Sequence, residues 1–376
     1  MLNTVAVSGY RSLRDVVVPL GRLTVITGAN GSGKSNLYRA LRLLSSTAGG
    51  SIVAAVAREG GLPSLLWAGP EHGGTQGTVR KDPIAVQLGF ASDELGFLID
   101  LGIPQAGQRT LFARDPEIKR EQVFAGALAK PSTLIIDRNR GAARVRDDAW
   151  RALNQPLMSY ETILTDLAEG DTGPELLGLR RALSGWRFYD SFRTDADSPV
   201  RTPQVGTRTP TLAHDGSDLA AVWATIQDAG HGGDLEREVE RAFPGARVQI
   251  IGDETRLRLV MEQTGLLRPL DAAELSDGTL RYLLLCAALL PASPPPLIVL
   301  NEPESSLHPD LLAPLARLVI EASRRTQVVV VTHAADLAGA LEDEGARTHR
   351  LEGSTSGTRI SGQGVLDRPA WNWGSR

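Results

Sequence analysis

The stretch Gly28-Ala29-Asn30-Gly31-Ser32-Gly33-Lys34-Ser35 follows the apolar residues 23–26 and precedes a helical pattern of leucines and alanines. In this spacing, glycines let successive backbone amides converge on the α- and β-phosphates of a nucleotide. Lys34 is expected to reach the β- and γ-phosphates, and the Ser35 hydroxyl to ligate Mg²⁺. The start of the helix also favours an anion. A glycine-rich turn that binds nothing is the alternative, but the strand before and the helix after favour a phosphate-binding loop. The predicted nucleotide-binding residues are Gly28, Ala29, Asn30, Gly31, Ser32, Gly33, Lys34, Ser35 and Asn36.

Composition describes an ordinary globular chain. Its 376 residues, 42% hydrophobic and 22% charged, suffice for one large or two modest domains. A formal net charge of −4 gives no general attraction to nucleic acid or to an anionic membrane. The single cysteine, Cys286, falls in an apolar helical pattern and indicates core packing in a reducing compartment. With no apolar run of membrane-spanning length and no signal-peptide pattern, we expect a cytoplasmic protein without a membrane partner.

The pattern of strands and helices changes twice along the chain. Short strands between about residues 78 and 146 predict a mostly antiparallel β subdomain beside the nucleotide. Helical periodicity follows, interrupted by residues 190–215, which are rich in Pro, Thr, Arg and Asp and predict a flexible or functional loop. Beyond residue 245, alternating strands and helices predict a parallel sheet with crossovers. The predicted domains are an N-terminal lobe (1–149), a compact helical insertion (150–245) and a C-terminal lobe (246–376).

Two further expectations concern the end of the chain. Residues 266–270 are predicted to form a third strand after the strands at 246–251 and 256–261. The tail from Ser354 is rich in glycine and serine, and its Trp371 and Trp373 either dock on the body or fray.

Residues 297–304 form an apolar strand that ends in polar side chains, Leu-Ile-Val-Leu-Asn-Glu-Pro-Glu. A strand of this kind beside the phosphate-binding strand would deliver Glu302 as the general base that polarises a water for attack on the γ-phosphorus. Asn301 stands where such enzymes usually place an aspartate near Mg²⁺. Because its amide can accept a hydrogen bond from a metal-bound water but carries no charge, we expect weaker metal affinity. A strand merely capped by polar residues is the alternative.

The run Val328-Val329-Val330-Val331-Thr332-His333 has the same design. A buried strand would deliver His333 at its carboxyl end, where it is expected to contact the γ-phosphate. A purely structural histidine is the alternative.

Ser276 and Gly278 precede the next predicted helix and form a second anion-binding helix N-terminus. Because one chain needs only one phosphate cradle, the second site makes sense if it covers the γ-phosphate held by another copy. An ordinary helix cap is the alternative.

Together these motifs resemble the ABC-type ATPases of the RecF, SMC and OLD-like branch, among the AAA family ATPases. The resemblance rests on five segments at the two ends of the chain. It implies a P-loop NTPase fold of ABC-ATPase type, α/β, with a mixed or parallel sheet core. No heptad pattern is sustained, so a long coiled coil is not expected. The segments are Gly9-Tyr10-Arg11-Ser12-Leu13, residues 28–35, Leu275-Ser276-Asp277-Gly278, residues 301–304 with Leu307-His308-Pro309, and Thr332-His333.

The resemblance implies an ATP-dependent dimerisation switch with Mg²⁺, slow hydrolysis and a role in DNA repair, recombination or phage defence. Its catalytic residues would be Lys34, Glu302 and His333, with Ser35 and Asn301 near the metal. Implied partners are a second copy of the chain, double-stranded DNA and an effector protein. Alternatives are a transporter nucleotide-binding subunit, a nuclease of the OLD type and a nucleotide-sensing scaffold. Arginines that could form basic faces are Arg138, Arg140, Arg144, Arg146 and Arg151, and Arg180, Arg181, Arg187, Arg193, Arg201 and Arg208.

Overall fold

The computed structural model describes residues 1–50, 52–69, 85–104, 112, 115–153, 156–167, 174–253, 255–364 and 366–374. The chain divides into two compact units. The first comprises Met1–Gly21, Ile26–Trp186 and His349–Arg376, and the second comprises Arg22–Val25 and Arg187–Thr348. In the described part, no helix is both long and apolar enough to cross a bilayer.

Among the described residues, strand residues outnumber helix residues in the first unit, and helix residues outnumber strand residues in the second. The strands are β1 (Leu2–Tyr10), β2 (Leu13–Pro19), β3 (Leu23–Gly28), β4 (Ala85–Ser92), β5 (Leu95–Gly102), β6 (Glu117–Ala125), β7 (Leu134–Asn139), β8 (Ala142–Arg146), β9 (Trp150–Ala152), β10 (Arg187–Tyr189), β11 (Gln204–Val205), β12 (Arg247–Gly252), β13 (Arg256–Glu262), β14 (Leu270–Asp271), β15 (Leu297–Asn301), β16 (Gln327–Val331), β17 (Arg347–Ser354) and β18 (Gly357–Ile360). The helices are α1 (Lys34–Ser46), α2 (Ile52–Arg58), α3 (Leu62–Leu65), α4 (Ile163–Asp166), α5 (Pro174–Ser184), α6 (Leu219–Ile226), α7 (Gly232–Ala242), α8 (Asp277–Leu289), α9 (Leu312–Ser323) and α10 (Ala335–Asp343).

An antiparallel sheet with the order β2-β1-β4-β5-β6-β7-β8-β9 forms the framework of the first unit. The predicted antiparallel β subdomain is therefore present, and it continues through β1 and β2. Helix α1 starts after the loop 29–33 that follows β3, and it buries Leu37, Leu41 and Leu44 on one face. This amphipathic face is the reason that the sequence forms a helix at this point.

The second unit contains the parallel part of the fold. Strand β15 pairs in parallel with β10 on one side and with β16 on the other. The amide of Val328 donates to the carbonyl of Arg22 (2.9 Å), which places the start of β3 beside β16. Residues 297–300 and 328–331 are buried, and the apolar α8 and α9 join the same core. The α/β fold with parallel strands and crossovers is thus as predicted.

The predicted strand at 266–270 is wrong except at its last residue. A turn with Gly265 at φ +91° replaces it, and Leu267 is fully exposed. Pro269 has no amide hydrogen to donate to a strand ladder, so pairing with β13 starts only at Leu270.

The tail docks on the first unit. The Trp371 ring packs edge-on against Phe124 with centroids 6.1 Å apart, and Trp373 packs against Trp371. Residues 347–354 and 357–360 form a hairpin that the glycine- and serine-rich composition did not predict.

The segment 150–245, predicted as a helical insertion, contributes α4 and α5 to the first unit and α6 and α7 to the second. It begins with strand β9 rather than with a helix, because Trp150–Ala152 pairs with β8. The domain boundaries at 149/150 and 245/246 stay a prediction.

Candidate functional site

The predicted site residues fall into two groups, one in each unit. The first unit holds the loop and helix start from Gly28 to Asn36. The second holds Ser276, Gly278, Asn301, Glu302 and His333. That both groups of residues bind one nucleotide stays a prediction.

Two glycines of the loop fit tightly against neighbouring backbone and side chains. Gly28 has φ +144°, and a Cβ there would lie 2.4 Å from the carbonyl oxygen of Leu351. Gly33 has φ +103°, and its Cβ would lie 2.2 Å from Oγ1 of Thr358. A side chain at either position would displace the loop, so the glycine spacing is set by the fold as well as by any ligand.

The start of α1 is suited to an anion. Gly33 caps the helix without a side-chain hydrogen bond, and its first turn contains no acidic residue. The first amides of the helix and the positive end of its dipole are therefore not offset by an acidic side chain of this turn. Nζ of Lys34 donates to the carbonyls of Gly28 (2.6 Å) and Ala29 (3.1 Å), so the ammonium lies over the same loop. Ser35 is exposed at this helix start.

A cluster of hydroxyl and amide side chains, called the brace here, holds the phosphate-binding loop through hydrogen bonds. Oγ1 of Thr358 donates to the carbonyl of Ser32 (2.9 Å) and lies 2.9 Å from Oγ of Ser12. Nδ2 of Asn36 donates to the same Ser12 hydroxyl (2.9 Å). Asn36, predicted as a nucleotide-binding residue, thus has a hydrogen bond within the brace.

Replacing Thr358 by valine should loosen the loop. The change keeps the side-chain volume but removes the bond to the Ser32 carbonyl, at a cost of about 1–3 kcal/mol for a buried unpaired acceptor. We expect weaker nucleotide binding, by roughly tenfold, measured by titration with a fluorescent ATP analogue. Thr358→Ser, which keeps the hydroxyl, is the control. Equal affinities for both variants would contradict the brace.

In the second unit, the parallel strands β15 and β16 deliver the predicted catalytic residues side by side. Asn301 pairs in register with Val331, and the amide of Glu302 donates to the Val331 carbonyl (2.7 Å). Glu302 itself has φ +49°, a conformation that non-glycine residues rarely adopt. Such backbone strain is concentrated at functional sites, where the surrounding structure must hold it.

The two glutamates after β15 have different environments. Glu304 is buried, and its Oε1 accepts from the Thr332 hydroxyl (2.5 Å) and from the amides of His333 (3.2 Å) and Ala334 (3.3 Å). Its role is to hold the turn after β16. The Glu302 side chain is 37% exposed, and Oε1 lies 3.5 Å from Nδ1 of His333. Of the two carboxylates, Glu302 is the one accessible to a water molecule.

Asn301 provides an acceptor of the predicted kind. Its Oδ1 is buried and has no hydrogen-bond partner in the described part of the chain. A buried acceptor without a partner is costly, so it is expected to receive a hydrogen bond in the functional state. The imidazole of His333 is half-exposed and lies 3.4 Å from Oε1 of Glu304.

The predicted second anion site is the N-terminus of α8. Oγ of Ser276 accepts from the Thr279 amide (3.1 Å), and Ser276 is exposed. A Cβ on Gly278 would lie 3.0 Å from the Ser306 carbonyl, so this helix start adjoins the loop after Glu302. Nη2 of Arg281, one turn further along, donates to the Glu302 carbonyl (3.2 Å).

The comparisons with known proteins concern the family and the fold of the chain. A family model described as an AAA domain, putative AbiEii toxin, Type IV TA system, matches residues 23–337. The chain belongs to this AAA family. The search of curated proteins returned no match to the chain.

Two solved structures share the fold of this AAA family member. The Smc head bound to the C-winged helix domain of ScpA is 14% identical with a TM-score of 0.52, and the match covers 97% of this chain and 98% of that one. The SMC head domain from Thermotoga maritima is 16% identical with a TM-score of 0.50, covering 97% of this chain and 99% of that one. The predicted P-loop ATPase fold of the SMC and ABC type is therefore confirmed.

Several contacts around the candidate site of this AAA family member were not predicted. Thr358 lies in a tail whose composition indicated no structure, and only the short run Gly-Thr-Arg-Ile hinted at a strand. Arg281 and Arg201 bond to backbone carbonyls, which leave no pattern in a sequence. Two arginines of the suggested basic faces are not on a surface: Arg138 is fully buried against Glu121, and the Arg201 side chain is 11% exposed.

Proposed function

We propose that the chain binds ATP with Mg²⁺, that ATP joins two copies of it, and that hydrolysis releases them. One observation supports this most strongly: α8 has an exposed N-terminus capped by Ser276, a helix start of the kind that binds anions, and it is separate in sequence from the phosphate-binding loop. ATP held by the loop of one copy would be covered by Ser276 and Gly278 of the other.

Each residue has a defined role in the proposed reaction. Lys34 and the α1 amides would neutralise the phosphates. Glu302 would accept a hydrogen bond from the attacking water, whose oxygen forms the new bond to the γ-phosphorus as the bond to the bridging oxygen of ADP breaks. His333, beside Glu302, would donate to the γ-phosphate. Glu304 and the strained backbone of Glu302 would keep these groups in place.

The donor set fits a metal held jointly with the nucleotide. In the residues that the structure describes, no group of three or more His, Cys, Asp or Glu side chains could hold a cation by itself. Mg²⁺ commonly keeps waters and binds through phosphates and few protein groups. Ser35 would be the direct ligand, and Asn301 would accept from a metal-bound water.

Asn301→Asp should therefore lower the Mg²⁺ concentration required for hydrolysis, by roughly tenfold, because a carboxylate adds charge at the metal. ATPase activity measured across a Mg²⁺ titration checks this, with Asn301→Ala expected to shift the titration in the opposite direction. An unchanged titration for both variants would show that the amide is not near the metal.

The process served is proposed from the family and the fold. The description of the matched family names the AbiEii toxin of a type IV toxin–antitoxin system. This description favours phage defence over DNA repair or recombination. The solved Smc head carries a winged helix domain of another protein, and this chain would likewise act with an effector protein. Double-stranded DNA is a further proposed partner, although Arg144 pairs with Asp137 and Arg138 is buried.

The experiment is to measure phosphate release and molar mass by light scattering, with and without ATP, Mg²⁺ and double-stranded DNA. Hydrolysis together with an ATP-dependent doubling of mass supports the switch, and stimulation by DNA supports a DNA partner. A constant monomer mass at saturating ATP would contradict the proposal that ATP joins two copies of the chain. Binding without hydrolysis would favour the nucleotide-sensing scaffold.

A further inference from the structure

The segment 190–215 is an ordered strap across the second unit rather than a featureless loop. Its turn Pro199–Arg201 is a 3₁₀-helix capped by Ser198, whose Oγ accepts from the Val200 amide. Val200 is buried in the core of this unit. The strap then pairs with β13 through Gln204–Val205. The turn therefore has a fixed position from which the side chain of Arg201 extends.

Arg201 reaches the backbone directly before α8. Its Nη1 donates to the carbonyls of Ala272 (3.2 Å), Ala273 (3.1 Å) and Leu275 (2.9 Å). Its Nη2 donates to Oδ1 of Asp277 (2.7 Å). These contacts lie immediately before and after Ser276, so one guanidinium fixes both sides of the predicted anion site.

The other edge of the same guanidinium is tied to the strap. Nε donates to the carbonyls of Thr194 (2.9 Å) and Asp195 (3.1 Å), and Nη2 also donates to Thr194 (2.8 Å). The side chain is 11% exposed. A planar, permanently charged fork can bridge this many acceptors, whereas a lysine ammonium cannot.

The contacts have a mechanical consequence for Ser276 and Gly278. A helix N-terminus binds an anion only if its amides are oriented correctly. Here the Arg201 side chain holds the residues before α8 by their backbone carbonyls and Asp277 by its side chain. Asp277, which is 61% exposed, would repel a phosphate unless Arg201 offsets its charge. Arg201 supplies both the geometry and the charge balance.

We propose that Arg201 is a positioning residue that sets Ser276 and Gly278 for closure on the ATP of a second copy. The inference rests on the proposed ATP-dependent dimer. It adds that the strap from Asp190 to Asp215 controls how tightly the second anion site binds the ATP of the other copy. The strap does not contribute to the affinity of the phosphate-binding loop for ATP.

The experiment compares Arg201→Lys and Arg201→Ala in a Glu302→Gln background, where ATP is not consumed. Light scattering over a range of protein concentrations gives the dimer dissociation constant at saturating ATP, and a fluorescent ATP analogue at high dilution gives the affinity of the monomer. We expect the dimer dissociation constant to rise about 10- to 100-fold, with Lys showing part of the effect, while the affinity of the monomer for ATP stays unchanged.

Arg193→Lys is the matched control, because Arg193 lies in the same strap and its side chain pairs with the Asp195 carboxylate on the surface, both side chains being 52% exposed. Circular dichroism and thermal unfolding establish the folded fraction, and Arg201→Lys carries the test if the alanine variant does not fold. A folded lysine variant that dimerises like the parent would overturn the inference, as would equal losses in dimerisation and in monomer ATP affinity. A parent that stays monomeric with ATP would instead refute the proposed function on which the inference rests.

Discussion

Lys34→Ala is expected to abolish measurable ATP binding. The ammonium is the one side-chain cation within the phosphate-binding motif, and its bonds to the Gly28 and Ala29 carbonyls show that it already lies over the loop. Charge-assisted bonds contribute about 1.5–3 kcal/mol each, so loss of contacts to two phosphates weakens binding by at least roughly 100-fold. Isothermal titration calorimetry with ATP and Mg²⁺ measures the affinity of the variant for ATP.

Lys119→Ala is the matched control in the same unit. Nζ of Lys119 pairs with Glu117 (2.7 Å) on β6, away from the motif in sequence, and this variant should bind ATP like the wild type. Wild-type affinity in Lys34→Ala would mean that residues 28–35 form a glycine-rich turn and no phosphate site. The thermal unfolding of both variants distinguishes lost binding from lost folding.

Glu302→Gln has the second largest expected effect, on hydrolysis rather than on binding. The amide keeps the shape and the strained backbone position but cannot polarise the water, so the rate should fall about 10²- to 10⁴-fold. ATP binding is retained, and the dimer should accumulate because its release step is blocked. Phosphate release and light scattering at saturating ATP measure the two parts.

Glu304→Gln tests whether the effect is specific to Glu302. The substituted amide still has an oxygen that can accept from Thr332 and from the amides of His333 and Ala334, so the turn should persist and hydrolysis should fall far less. Equal losses in the two variants would remove the assignment of Glu302 as the base. A Glu302→Gln protein that stays monomeric with ATP would contradict the proposed ATP-dependent dimer.

Features that depend on neighbouring residues were predictable. The positive φ values at Gly28, Gly31 and Gly33 require glycine, which is why the motif could be recognised from the sequence. The apolar runs before Asn301 and Thr332 form buried strands because each is bounded by polar or turn residues. Ser276 caps α8 because its Oγ accepts a hydrogen bond from the Thr279 amide, three residues further along the chain.

Features that depend on distant residues were missed. The hydroxyl of Thr358 bonds to Ser32 across 326 positions of sequence, and the composition of the tail gave no reason to expect it. Arg201 bonds to carbonyls, which every residue possesses, so no residue type marks its targets. The exposed turn at Leu266 and Leu267 was mistaken for a strand because apolar composition alone cannot distinguish a covered segment from an exposed one.

The sequence by itself determined the phosphate-binding loop, the strand-then-polar segments and the helix start at Ser276, since each is specified by bonds and torsions within a few residues. It predicted Glu302 as the base, but it could not show how the environments of Glu302 and Glu304 differ, two identical side chains separated by one proline. The tertiary structure decided this, because β16 brings a hydroxyl and two amides to Glu304 and leaves the Glu302 carboxylate accessible to water.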